Sequence, residues 1–431
     1  MWRANTFTQG GFFMKNKTIP IFYACDEPFI KYAAVSLKSL LANADKTRFY
    51  KIHVLITDVS DNTKEKFFAL GTPNAEISFD DVSGYLGRLS ARLPLRDYYS
   101  KTTYFRLFIA DMFPHYDKAI YIDADTVVTG DISKLYDTDL KDNLVGAVSE
   151  RVMAEEKVFG DYVEKVVGID RYAYFNAGVL LINCKAFRQK NILGGFSSVL
   201  SFYNFVVTQD EDYLNVLCKD KVKLLDPKWN AEIFNGIPVA ESEVAIFHYI
   251  MTSKPWHYPD CPFGGYFFKY AELTEFYGEI KAVADGYTDE QRLNDEQCGI
   301  NLKKLAESEI ARGDGYLKKL RKHQDEGRVK VLEKIDALEA DGVFDVDVED
   351  DPPTKPLPDG VDFSYEKLSS KIKSKTAFAV ARWYLNSILR TKKLIVRDIV
   401  GVENLRSVNG GAIITCNHFN AFDSFIMQMV Y

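Results

Sequence analysis

Residues 119–128 read AIYIDADTVV, an apolar run that closes on two carboxylates, Asp123 and Asp125, two positions apart. A short apolar stretch bounded by polar residues reads as a buried strand. Strand periodicity sends both acids to the same side of its end, where each disfavours the ionisation of the other unless something neutralises them. Around this stretch the signals alternate between strand and helix from residue 19 to about 250. TIPIFYA, YKIHVLIT, AEISFDD, KAIYIDAD, LVGAVSE, FNAGVLLINC and EVAIFHYI read as strands. FIKYAAVSLKSLLAN, DNTKEKFFAL, TTYFRLFIADMF and QDEDYLNVLC read as helices. Most of the strands are continuously apolar, as in a sheet covered on both faces. The expectation is an α/β fold with an open, doubly wound sheet whose ligands bind at the carboxyl ends of its strands.

The chain has 431 residues, 47% of them hydrophobic, and a formal net charge of −7. That length implies more than one domain and that apolar content supplies a sizeable core. The acidic balance gives no basic footprint for nucleic acid. Six scattered cysteines, with no CxxC pair, read as free thiols in a reducing compartment. No stretch is apolar for long enough to span a bilayer, and the start lacks the pattern of a signal peptide. A cytoplasmic protein is expected, with Met14 as a natural start and 1–13 as an upstream extension.

Three readings of Asp123 and Asp125 compete. Acids at a strand end cap turns; YIDADTV also fits the hhhDxDx[TV] string of aspartyl-phosphate phosphotransferases; and a divalent cation on a nucleotide-sugar diphosphate would relieve the repulsion. Further motifs occur in a fixed order with this stretch: YACDEP, TTYFRL, YFNAGVLLIN, QDEDYLN and HYIMTSKPWH. Together over about 19–270 they resemble glycosyltransferase family 8, the retaining group that includes glycogenin and bacterial lipooligosaccharide galactosyltransferases.

The resemblance implies a GT-A type, Rossmann-like nucleotide-sugar transferase domain over 14–270. It implies that Asp123, Asp125 and His248 hold Mn²⁺, with Mg²⁺ as the alternative, and that Lys254 sits on the leaving diphosphate. Asp26 would accept a hydrogen bond from a uracil ring and Ala24 would offer a backbone contact to it, while Pro28 stands where the family usually has Asn. Ala124 would lie near the ribose. Arg106, Glu150, Asn176, Ala177 and Asp210 would hold the donor sugar and diphosphate. Glu211 matches the position facing the anomeric carbon opposite the leaving group, Gln in some members, and would stabilise or attack that centre. His257 is expected to be structural. The implied activity is transfer of glucose or galactose from a UDP-sugar to a saccharide or glycolipid acceptor of the cell envelope.

Residues 271–340 change character to charged helix with solvated faces, and 341–360 form an acidic, proline-rich linker. The basic, amphipathic stretch 365–397 suits either peripheral contact with the inner face of a membrane or a helix packed on the segment that follows. Within 361–431, GGAIITCNHFNAFDSF resembles the first motif of the glycerolphosphate acyltransferase family, which would make His418 the base and Asp423 its orienting acid. The chain stops eight residues after Asp423, so this segment is expected to be an inactive stub, left either as a fragment of a bifunctional glycosyltransferase and acyltransferase or by a frame disruption.

Overall fold

A computed structural model of the chain describes residues 18–86, 101–340 and Trp383. The chain divides into two compact units between residues 332 and 333, and the architecture below belongs to the first. Ten strands are described: β1 Thr18–Ala24, β2 Phe49–Ile56, β3 Ala75–Asp81, β4 Ala119–Ile122, β5 Thr126–Val128, β6 Val145–Ala147, β7 Val179–Ile182, β8 Val222–Leu224, β9 Ala231–Glu232 and β10 Ile246–His248. Seven form one sheet in the order β3-β2-β1-β4-β7-β6-β8, and the other three form a small sheet in the order β5-β10-β9. In the large sheet β7 runs antiparallel to both of its neighbours, β4 and β6.

The continuous apolar runs do what their pattern implies, because both faces of the large sheet are covered. Ile19, Ile21 and Tyr23 of β1 enter one core with the helix Ile30–Asn43, while Phe22 and Ala24 enter a second core on the other face. Strand order reverses beside β1, which pairs with β2 on one side and β4 on the other. That reversal leaves a crevice at the carboxyl ends of β1 and β4, where Ala24 and Asp123 emerge.

Two local expectations change. EVAIFHYI does not extend the large sheet but supplies β10 of the small one. The single helix expected over TTYFRLFIADMF is a 3₁₀ turn, Lys101–Leu107, followed by one α-helical turn, Ile109–Met112. Arg106 Nε takes the Thr103 carbonyl at 2.8 Å, the acceptor that a continuing α-helix would offer to its own backbone. Tyr104, Leu107 and Phe108 nonetheless face the core.

The helix Asp289–Ala311 starts from a capping box between Thr288 and Gln291. It packs on the helix Lys157–Tyr162 and buries Leu302 and Ala306 in the second core. No described helix is long and apolar enough to cross a membrane, and Cys25, Cys184, Cys218 and Cys261 are buried free thiols. The segment 365–397 lies outside the described residues apart from the exposed Trp383, and 1–13 and 341–360 lie wholly outside them.

Trp256 pins the segment that carries Lys254. Its ring is fully buried, stacked on Tyr32 at 3.8 Å between centroids and tilted against Phe267 at 5.0 Å. Trp256→Ala is expected to cost about 3–5 kcal/mol of stability, read as a lower midpoint in urea denaturation.

Candidate active site

β4 ends at Ile122, so Asp123, Ala124 and Asp125 form a turn, not the continuation of a strand. The Asp123 N–H donates to the Gly178 carbonyl at 2.7 Å, and the Thr126 hydroxyl closes the turn on the Asp123 carbonyl at 2.9 Å. β5 then leaves for the small sheet, where it pairs antiparallel with β10 in a register that sets Thr126 opposite His248. The Tyr249 N–H donates to the Asp125 carbonyl at 3.0 Å. Backbone pairing thus closes a gap of more than a hundred residues and brings Asp123, Asp125 and His248 together, with one ligand atom from each within 4.8 Å of the others.

This trio fits a divalent cation by its chemistry, two hard carboxylates and one imidazole. It also fits by its space. A Cβ at Gly178 would lie 2.3 Å from His248 Cε1 and 2.8 Å from Asp123 Oδ2, so the glycine keeps the ground between the ligands open.

Two cations hold the acids in place. Asp123 Oδ1 accepts from the Tyr121 hydroxyl at 2.6 Å and from Arg106 Nη2 at 3.0 Å. Arg106 lies over the Tyr121 ring at 4.4 Å and also donates to the Ala177 carbonyl. Its Nε is 3.2 Å from Asp210 Oδ2, near enough for an ion pair but not aligned as a hydrogen bond, which leaves that buried oxygen without one. Lys254 Nζ donates to Asp125 Oδ2 at 2.6 Å and to the Tyr249 carbonyl. Burial opposes ionisation of Asp125, but the Lys254 ammonium 2.6 Å away leads the opposing pull, and its carboxyl is held far below the usual carboxylate range.

The far wall is different. Glu150 and Glu211 are buried beside each other, and burial followed by their mutual repulsion pushes Glu211 up, while burial raises Glu150 against the pull of its bond from Asn176. Glu211 Oε2 accepts the Ala177 N–H at 2.9 Å. Asp210 starts the helix Asp210–Leu217 and is pushed up to about 6 by burial, with Arg106 pulling the other way.

These groups line one cavity of about 190 Å³. Ala24, Arg106, Asp123, Ala124, Asp125, Glu150, Asn176, Ala177, Asp210, Glu211, His248 and Lys254 all border it. Asp26 does not: one of its oxygens accepts the Phe29 N–H at 3.3 Å, at the entry to the helix Ile30–Asn43. His257 lies apart, stacked on Tyr287 at 3.9 Å between centroids. His418 and Asp423 lie outside the described residues.

Several residues escaped the sequence reading. Tyr121 looks like one more apolar strand position, yet it supplies both the ring under Arg106 and a hydroxyl to Asp123. Asn230 and Glu232, in KWNAE, carry no motif; Asn230 bonds to His248 and Asn176, and Glu232 accepts the Arg151 N–H at 2.8 Å beside Glu150. Val152, Met153, Ile250, Met251 and Leu302 add an apolar border, the last of them from a helix read as a solvated appendage.

Known proteins resemble this chain in sequence and fold. A family model described as "Glycosyl transferase family 8" matches residues 20–260, more than half of the chain. The lipopolysaccharide 1,3-galactosyltransferase of Salmonella typhimurium is 30% identical over 252 residues, 55% of this chain and 72% of that protein. The lipopolysaccharide glucosyltransferase WaaO of Escherichia coli is 28% identical over 255 residues, 56% of this chain and 74% of that one. Among solved structures, the galactosyltransferase LgtC in complex with donor and acceptor sugar analogs superposes with a TM-score of 0.51 at 29% identity, covering 60% of this chain and 99% of that one. The bifunctional glycosyltransferase WbbM superposes with a TM-score of 0.55 at 25% identity, covering 64% of this chain but only 53% of that one, so the match spans about half of its length. With a GT-A fold, an Asp–Asp–His cluster at the sheet crevice and a family match across the whole of it, the chain belongs to glycosyl transferase family 8.

Proposed function

We propose that this glycosyltransferase moves glucose or galactose, with retention, from a UDP-sugar to a saccharide or glycolipid acceptor, with Mn²⁺ or Mg²⁺ held by Asp123, Asp125 and His248. The observation that carries this reading is the meeting of that trio with Lys254 and Arg106 at one end of a cleft whose other end is lined by buried carboxyls. The relatives named for galactosyl and glucosyl transfer to lipopolysaccharide support a hexose donor and a glycan acceptor. When bound, the cation supplies positive charge to the donor diphosphate as its bond to the sugar weakens.

The chain's own groups do the rest. Lys254, buried and already turned toward the cation ligands, places a positive charge where the leaving diphosphate gains negative charge. Asp210 offers an oxygen without a hydrogen bond to a sugar hydroxyl, and Asn176 and Glu150 border the same part of the cleft. Glu211 uses Oε2 to accept the Ala177 N–H, so any proton it carries sits on Oε1. Once ionised against a cationic sugar, the same carboxyl is placed to stabilise the anomeric centre. Asp26 and Ala24, at the end of β1, are the proposed contacts to the uracil ring.

The direct test is a screen of UDP-sugars for UDP release dependent on Mn²⁺, with release from UDP-glucose or UDP-galactose as the expected result and no release from any as the contrary one. Lys254→Ala should lower kcat by about 10²–10³-fold with the fold intact by circular dichroism. Glu211→Gln should lower kcat while donor affinity holds; a loss confined to affinity would remove its chemical role. Activity should fall as pH drops through about 6, where Asp210 gains a proton, and Asp210→Asn should abolish that acidic limb at a reduced rate. Stability should respond in the opposite sense. The folded pKa of Asp210 lies above its unfolded value, so its stabilising contribution is complete below the ordinary aspartate range and is lost as pH rises through about 6. Thermal melts across that interval, wild type against Asp210→Asn, isolate the contribution.

A further inference from the structure

The hydrogen bonds around His248 fix which of its ring nitrogens carries a proton. The logic begins at a backbone amide, which can only donate. The Gly178 N–H lies 2.8 Å from one terminal atom of the Asn176 side chain, so that atom is the oxygen. The other terminal atom, the nitrogen, faces Glu150 Oε2. Asn230 approaches the same Asn176 oxygen at 2.8 Å, and the atom it presents must therefore be its nitrogen. Its oxygen is then the atom 2.9 Å from His248 Nδ1. An amide oxygen only accepts, so Nδ1 carries the proton, and the neutral ring keeps its lone pair on Nε2.

Nε2 points at Asp125 Oδ1, 3.3 Å away. With a neutral ring two acceptors face each other across that gap, an arrangement that a cation between them resolves. We propose that Asn230 is a positioning residue: held by Asn176 and the Gly178 backbone, it fixes the His248 tautomer and reserves Nε2 for the divalent cation. The inference rests on the cation site proposed above.

The fold keeps the pair in register. Asn230 ends the 3₁₀ turn Pro227–Asn230 and leads into β9, which pairs parallel with β10 so that Ala231 lies opposite Phe247. Asn230 is fully buried, and both ends of its amide are used, the oxygen on His248 and the nitrogen on Asn176. A partner hydrogen bond of this kind typically changes metal affinity about 10–100-fold when removed.

The test reads the tautomer directly. Nitrogen NMR of the full chain labelled at histidine, metal-free and at mildly alkaline pH, is assigned to His248 by the loss of its signals in His248→Gln. Wild type should show a protonated Nδ1 and a lone pair on Nε2; a protonated Nε2 on the neutral ring overturns the proposal. Asn230→Ala should give a mixture of tautomers and should weaken Mn²⁺ binding, measured by EPR in the presence of UDP, about 10–100-fold. Equal Mn²⁺ affinity in wild type and Asn230→Ala overturns the proposal and leaves the cation site standing. Absence of Mn²⁺ binding to the wild type overturns both. Should Asn230→Ala fail to fold, the wild-type spectrum still decides the tautomer.

Discussion

The cleft concentrates buried acid, and the surrounding structure exists largely to make that tolerable. Asp123, Asp125, Glu150, Asp210 and Glu211 border one cavity, and Glu232 lies directly behind Glu150. Isolated buried carboxylates are too costly to persist as such, so each needs a cation, a hydrogen bond or a proton. The site uses all three, sorted by position. Arg106 and Lys254 serve the end that carries Asp123 and Asp125, while at the other end burial pushes Glu150, Glu211 and Glu232 up, with repulsion from Glu150 adding to the shifts of Glu211 and Glu232. The cleft is thus graded, from acids paired with cations to acids whose ionisation burial opposes.

Topology supplies this gradient with little extra machinery. The reversal of strand order at β1 opens the crevice, and β7, running against its neighbours, delivers the Asn176–Ala177–Gly178 segment across from the Asp123 turn. The small sheet then returns the chain, so His248 reaches the turn through strand pairing and Lys254 follows within the same loop. Arg106 is set by a 3₁₀ turn that its own side chain helps to end. Each functional group is fixed by backbone bonds within a residue or two of it.

How much of this was legible in the chain follows from the same physics. β1 and β4 could be read because burial on both faces writes a nearly continuous apolar run. β5 and β10 could not be assigned to a separate sheet, since three residues carry no periodicity and their partners are set by tertiary pairing. Asp123, Asp125, His248 and Lys254 were found through motif order, and the structure gathers them. Asn230 and Glu232 stayed hidden because their value lies in partners distant along the chain, and Tyr121 because an alternating strand position hides a hydroxyl. The 3₁₀ turn was missed because its cause is a side chain competing for a backbone carbonyl, which composition does not encode.

Leu302 lies some forty residues beyond the span matched by the family, yet it forms part of the cavity border. Its helix is anchored by Ala306 and by Glu309, whose carboxylate accepts the Tyr203 hydroxyl at 2.7 Å and meets Arg312 at 2.6 Å. The helix is therefore a wall of the cleft that comes from outside the matched span. A change confined to this wall would alter the border of the cleft and leave the Asp123, Asp125 and His248 cluster in place.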